Sequence, residues 1–206
     1  MPLKFIFVRH GEAEHNVAFY TEGDAAFSNE KYRDAPLTEK GKQQAHDLGV
    51  ALSPLNILDI WSSPLTRCIQ TTQELYEEIN CNGLYLHDTL LERQGGRHVC
   101  NIRKSKQELQ TSFPIFNSSL IPEYGPLWVE HESNHVVSQR MIMFLLYLQE
   151  VYKNISETEK EKEKEKEKDI YICIVSHNNA IQCVTGKSLA NAEHLILTLK
   201  EILSQA

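Results

Sequence analysis

Short, unbroken apolar runs alternate along this chain with longer stretches in which apolar residues recur at helical spacing. Lys4–Val8, Ile57–Trp61 and Ile170–Val175 have the length and the β-branched and aromatic content of buried strands, and Leu84–Leu86 and Leu195–Leu199 are shorter candidates. Between them, Ala45, Leu48 and Leu52 share one helical face, as do Cys68, Thr72, Leu75 and Ile79, and then Val137, Met141, Phe144, Leu145, Leu148 and Val151. Thr38 is placed to cap the first of these helices, and Ser62-Ser63-Pro64 puts a hydroxyl and then a proline at the expected start of the second. Strands alternating with helices predict an α/β fold, three layers deep, with a mostly parallel sheet covered on both faces.

Two segments break the alternation. Residues 93–131 are irregular and carry Pro114, Pro122 and Pro126, the pattern of an insertion. Residues 157–169 read as a charged low-complexity loop, because strict Glu/Lys alternation puts like charges four apart on any helix. The 206 residues otherwise suit a single domain. A formal net charge of −7 speaks against nucleic acid or an anionic membrane as the main partner. Five scattered cysteines without a CxxC pair, and an early apolar run too short for a secretory signal, predict free thiols and a cytoplasmic location. Nothing in the pattern specifies an oligomeric state.

Several motif matches fail on inspection. His131-Glu-Ser-Asn-His135 fits the HExxH zinc pattern, but the helix is expected to begin only near Ser133, which leaves His131 outside it. Thr185-Gly-Lys-Ser188 lacks the upstream glycine of a phosphate-binding loop, and no GxSxG occurs.

Chemistry gathers instead at three strand ends. The first ends in Arg9-His10-Gly11 with Asn16 following, the second in Ser62-Ser63-Pro64 with Arg67 following, and the last long one in Ser176-His177-Asn178. Ligands of open parallel sheets bind outside the carboxyl ends of the strands. One site there would collect two arginines, two histidines, an asparagine and a helix amino-terminus, a set suited to a phosphoryl group.

Val8-Arg-His-Gly-Glu12 resembles the signature of the histidine phosphatase superfamily, the group that includes cofactor-dependent phosphoglycerate mutase. His15-Asn16-Val17, Asp34-Ala-Pro-Leu-Thr38 with Gly41 and Gln44, Ser63-Pro-Leu-Thr-Arg67, Leu91-Glu92 with Gly96, Glu132-Ser133 with Arg140, and Ser176-His177 follow in the family's order. The resemblance spans about residues 4 to 185, and its wording is closest to the broad phosphatase-like branches. It implies a phosphoglycerate mutase-like fold and a metal- and cofactor-independent phosphatase. His10 would be the nucleophile that forms a phosphohistidine, Glu92 the proton donor and acceptor, and His177 a third catalytic group. Arg9, Arg67 and Asn16 would bind the phosphoryl oxygens. Gly11 would supply the carbonyl that fixes the tautomer of His10, and Glu12 would orient an arginine or serve as an alternative acid. The partner is a small phosphorylated substrate, with the insertion shaping its pocket. Arg93, Arg97 and Arg103, with His98 and Lys104, are placed to hold a second anionic group. Asn178 cannot protonate a leaving group, which argues against the acid phosphatase and phytase branch. The rival readings are a phosphoglycerate mutase, disfavoured because the mutases resembled are longer, and a non-catalytic phosphate-binding module.

Overall fold

The apolar runs form the strands expected of them. The computed structural model describes residues 3–96, 98–126, 131–153 and 169–204. Within them one sheet contains β1 (Lys4–Arg9), β2 (Ile57–Ser62), β3 (Gly83–Leu86), β4 (Tyr171–Ser176) and β5 (His194–Thr198), in the order β3-β2-β4-β1-β5. Every neighbouring pair is parallel except β1 with β5, an antiparallel edge. The helices are α1 (Glu14–Glu22), α2 (Ala25–Ser28), α3 (Glu39–Leu52), α4 (Thr66–Glu78), α5 (Lys106–Ser112), α6 (Asn134–Val151), α7 (Asn178–Thr185) and α8 (Leu199–Leu203).

Strand periodicity divides the core between the two faces of the sheet. Phe5, Phe7, Ile172 and Ile174 pack with Val137, Met141, Phe144, Leu145 and Leu148 of α6 and with Ala180, Ile181 and Val184 of α7. Ile6, Val8, Cys173 and Val175 point the other way, against Leu48 and Leu52 of α3 and Cys68, Ile69 and Leu75 of α4. Both faces are covered, so the strands read as continuous apolar runs. The parallel register sets Arg9 beside Ser176 and Ser62 beside Val175, which brings the three chemistry-bearing strand ends into one row.

Several boundaries differ from expectation for identifiable reasons. Helix α4 starts at Thr66, after Pro64, and its N-cap residue Leu65 offers no side-chain cap. The cap arrives from Asp34, whose carboxylate accepts the Thr66 N–H at 2.8 Å and the Thr66 hydroxyl at 2.6 Å. Asp34 is buried at φ 46°. This left-handed conformation is one that Asp tolerates better than most side chains. At the end of α6, Val151 faces solvent and Tyr152 turns inward, donating to Asp59 and accepting from Trp61 Nε1 at 3.1 Å. Thr185-Gly186 is a helix end: Gly186, at φ 67°, closes α7. The described part of the insertion holds a short turn at Val99–Asn101 and helix α5. The alternating Glu/Lys run, apart from Asp169, and Arg97 lie outside the described residues.

The segment after β1 is fixed by direct backbone packing. A Cβ on Gly11 would stand 2.3 Å from the Gly41 carbonyl oxygen, and one on Gly41 would stand 2.0 Å from that of Glu12. No side-chain rotation relieves either contact, so the backbones must separate. Gly41→Ala is therefore expected to lower unfolding free energy by about 1–3 kcal/mol or more in urea titration, the range for overpacking a tight site. A change below about 0.5 kcal/mol, the usual effect of a neutral surface substitution, would contradict this packing.

Candidate active site

The ends of β1 and β4 carry the centre of the site. His10 follows β1 directly, and its backbone N–H donates to the Ser176 carbonyl at 3.1 Å. Its side chain is buried, with Nδ1 2.7 Å from the Gly11 carbonyl. A carbonyl only accepts, so Nδ1 carries the proton and Nε2 the lone pair. Burial above all, then the charges of Arg67 and Arg9 and the neighbouring His15, holds the His10 pKa well below its ordinary value. Desolvation thus outweighs the arginine charges in keeping this ring neutral.

His177, the N-cap residue of α7, lies edge-on to His10, with ring centroids 5.2 Å apart. Its Nδ1 is 3.2 Å from Arg67 Nη2 and its Nε2 is 2.8 Å from Ser63 Oγ. A guanidinium only donates, so Nδ1 must accept and Nε2 must carry the proton. The two histidines therefore have opposite tautomers. Burial first, then Arg67, also lowers the His177 pKa well below the usual range. Cys68 Sγ lies 3.5 Å from His177 Nε2, but burial pushes its thiol up to about 12, so no thiolate competes as nucleophile.

Arg67, on the first turn of α4, is 1% exposed. Its Nη1 donates to the Cys100 carbonyl at 2.7 Å and its Nη2 to Asn101 Oδ1 at 2.9 Å. The turn at Val99–Asn101 thus aims it. Arg9 donates from Nη1 to the Leu189 carbonyl at 2.8 Å. Burial lowers its pKa, and the nearby Glu92 carboxylate opposes that shift.

His15 completes a group of three neutral rings. It sits 6.1 Å from His10, and burial lowers its pKa to about 2. Asn16 Oδ1 accepts the Ala13 N–H at 3.1 Å, which orients the amide so that Nδ2 donates to His15 Nε2, also at 3.1 Å. His15 must then carry its proton on Nδ1. Asn16 is consequently part of the cap of α1, with one amide hydrogen left over.

Four buried side-chain nitrogen or oxygen atoms among the described residues lack a hydrogen-bond partner. Three of them are Arg9 Nε, Arg67 Nε and His15 Nδ1, all donors of this cluster. Buried polar groups are almost always paired. Two arginines and three neutral imidazoles in one cluster offer several N–H donors and positive charge, the chemistry that suits an anion with several acceptor oxygens.

Glu92 stands at the edge of the cluster. Its carboxylate accepts the N–H groups of Arg93 at 2.6 Å, Ala180 at 3.1 Å and Asn179 at 3.3 Å, so the start of α7 fixes its position. Arg140 holds the same segment, donating to the carbonyls of Thr89 and Leu91 while Glu132 accepts from its Nε at 2.8 Å. Glu92 lines a cleft of about 250 Å³ with Arg93, Gly95, Gly96, His98, Asn101, His131 and Asn179.

The remaining expectations fare differently. Arg103 is not at the cleft: its buried guanidinium donates to Asp88, which precedes the insertion, and to the carbonyls of Pro122 and Lys104 within it. Lys104 is bound to Asp34 and Thr66. Arg93 borders the cleft, with Nη1 tied to Asn134 at 2.7 Å. Glu12 orients no arginine; it accepts from Lys40 at 2.8 Å and from Thr38 at 3.0 Å. His131 precedes α6, and Glu132 is bound to Arg140, so HExxH forms no metal-binding group. Among the described residues the one trio with metal-ligand spacing is His46, Glu74 and Glu77, on α3 and α4. Ser63, Asn101 and His15 were not anticipated as members of the cluster. His15 and Ser63 lay inside the quoted motifs, whereas Asn101 carried no local signal.

Comparison with known proteins places the chain in a family. The family model for the histidine phosphatase superfamily (branch 1) matches residues 5–199. A probable phosphatase of Schizosaccharomyces pombe is 35% identical over 114 residues, covering 52% of this chain and 38% of that protein. A 2,3-bisphosphoglycerate-dependent phosphoglycerate mutase of Streptococcus pyogenes is 34% identical over 114 residues, covering 54% of this chain and 45% of its own length. The matched segment thus spans less than half the length of either relative. Among solved structures, the ecdysone phosphate phosphatase of Bombyx mori superposes with a TM-score of 0.66 at 12% identity, covering 94% of this chain and 88% of that one. A mycobacterial glucosyl-3-phosphoglycerate phosphatase gives 0.60 at 19% identity, with 95% and 90% covered, a likeness of fold. With the family matched from residue 5 to residue 199, the chain belongs to branch 1 of the histidine phosphatase superfamily.

Proposed function

We propose that this protein hydrolyses phosphomonoesters through a phosphohistidine on His10, without a metal. The observation that carries the reading is the buried cluster itself: an imidazole, His10, whose Nε2 holds its lone pair, with His177 at 5.2 Å, His15 at 6.1 Å and the Arg67 guanidinium bound to His177. Nε2 attacks phosphorus in line, the bond to the ester oxygen breaks, and Glu92 delivers a proton to the leaving alkoxide. Water then attacks phosphorus and forms the new P–O bond as the P–N bond breaks, its proton passes to Glu92, and His10 and inorganic phosphate are released. Arg9 and Arg67 neutralise the equatorial oxygens, where charge spreads in a loose transition state. His177 contributes its Nε2–H, exchanging Ser63 for a phosphoryl oxygen, and Asn16 its second amide hydrogen. The likeness to a mutase supports a second reading, in which the phosphoryl group returns to the substrate.

His10→Ala is expected to lower hydrolysis of a small aryl phosphate by at least 1,000-fold, with wild-type activity unchanged by a chelator. Activity retained in the variant would overturn the nucleophile, and loss with chelator would overturn the metal-free reading. Rapid isomerisation of 3-phosphoglycerate with little free phosphate would favour the mutase.

The three neutral histidines also set a pH dependence. Their folded pKa values lie below the unfolded value near 6.5, so their contribution is complete above about pH 6.5 and is lost as pH falls. Each removes up to about 1.4 kcal/mol per pH unit below that point. Unfolding free energy from urea titration should therefore fall by about 4 kcal/mol between pH 7.5 and 5.5. A fall of less than about 1 kcal/mol would mean that these rings are charged in the folded protein.

A further inference from the structure

From His10 an unbroken series of rings leads to the surface. His15 is 6.1 Å from His10, Phe27 meets His15 edge-on at 6.2 Å, and Phe19 stacks on Phe27 at 5.3 Å with 18° between planes. Phe27 also contacts His98 at 5.2 Å, and His98 is a wall of the cleft that contains Glu92. Tyr20, 85% exposed, adjoins Phe19 and is near enough to Arg9 to act on its charge. Phe19 is 42% exposed and Phe27 half-buried.

Phe19 and Phe27 pack on neighbouring rings and keep part of their surface exposed. The core joining α1, α2 and the following turn consists of Ala18, Ala26, Tyr32 and Ala35, and neither Phe19 nor Phe27 belongs to it. Stacked, partly exposed aromatic faces beside a polar site are the usual wall for a flat apolar group. Of the basic residues near the site, Arg103 and Lys104 are paired with Asp88 and Asp34, whereas Arg93, held by the neutral Asn134, keeps its charge and lines the cleft together with His98.

We infer that the preferred substrates are phosphomonoesters of alcohols bearing a flat apolar ring, which packs on Phe27, Phe19 and His98 while the phosphate meets Arg9, Arg67 and His10. The inference rests on the phosphatase reading of this site and names the leaving group it takes. Phe19 and Phe27 are specificity residues, since they touch the alcohol and not the reacting atoms.

The test compares 3-phenylpropyl phosphate with propyl phosphate, whose leaving groups have nearly the same basicity. Wild-type kcat/KM is expected to be at least tenfold higher for the ring-bearing ester. In Phe27→Ala the ratio should fall towards one, and in the exposed Phe19→Ala it should fall severalfold, with propyl phosphate turnover changed less than twofold in each. Phe19→Ala carries the test if Phe27→Ala does not fold. A wild-type ratio near one, or an equal loss for both esters, would overturn the inference while leaving hydrolysis standing. Calorimetry with the matching phosphonates separates the two readings. If neither ester is hydrolysed and phenylpropylphosphonate still binds tenfold more tightly than propylphosphonate, hydrolysis fails and the ring site stands.

Discussion

A guanidinium with 1% exposure is the constraint on which this structure turns. Arg67 is among the largest fully buried side chains, and burying an unpaired charge costs several kcal/mol even after relaxation. The surroundings are built to hold it. Asn101 and the Cys100 carbonyl take two nitrogens, His177 takes a share of one, and Asp34 fixes the first turn of the helix that carries it. None of these partners that touch the guanidinium is a carboxylate. The positive charge is solvated by neutral acceptors.

The same charge organises the histidines. A neutral imidazole is both a donor and an acceptor, and its neighbours decide which nitrogen does which. Gly11 makes His10 an Nε2 base, Arg67 makes His177 an Nε2 donor, and Asn16 makes His15 an Nδ1 donor. Burial supplies the neutrality and the two arginines reinforce it. The three imidazoles can therefore lie close to one another without like-charge repulsion between imidazolium rings. The Gly11–Gly41 contact adds the geometric condition, holding the chain after β1 where the Gly11 carbonyl meets His10.

Much of this was legible in the sequence because it is local. Strands buried on both faces appear as apolar runs, and the residues that follow them in the chain, Arg9-His10, Ser63 to Arg67 and Ser176-His177, are carried to one sheet edge by parallel topology. What stayed hidden depends on partners distant in sequence. The cap of α4 lies at Asp34, 32 residues before Thr66. Arg103 looked like a ligand for anions because its partner Asp88 is 15 residues away and joins it only in the fold. Glu92 stands out as a motif residue, but the Ala180 N–H from which it accepts, at the start of α7, lies 88 residues further along the chain. The tautomers of three histidines cannot be read from spacing at all, since each is set by one hydrogen bond.

The central claim is that a neutral His10 attacks phosphorus through Nε2. The direct measurement is to mix the protein with an excess of a phosphomonoester, quench under alkaline conditions that preserve phosphoramidates, and locate the phosphoryl group by mass spectrometry and phosphorus NMR. The account predicts an acid-labile phosphate on Nε2 of His10, formed and discharged at rates consistent with turnover. Phosphate on Nδ1 or on another side chain, or steady turnover with no phosphorylated enzyme detectable at any time, would contradict it.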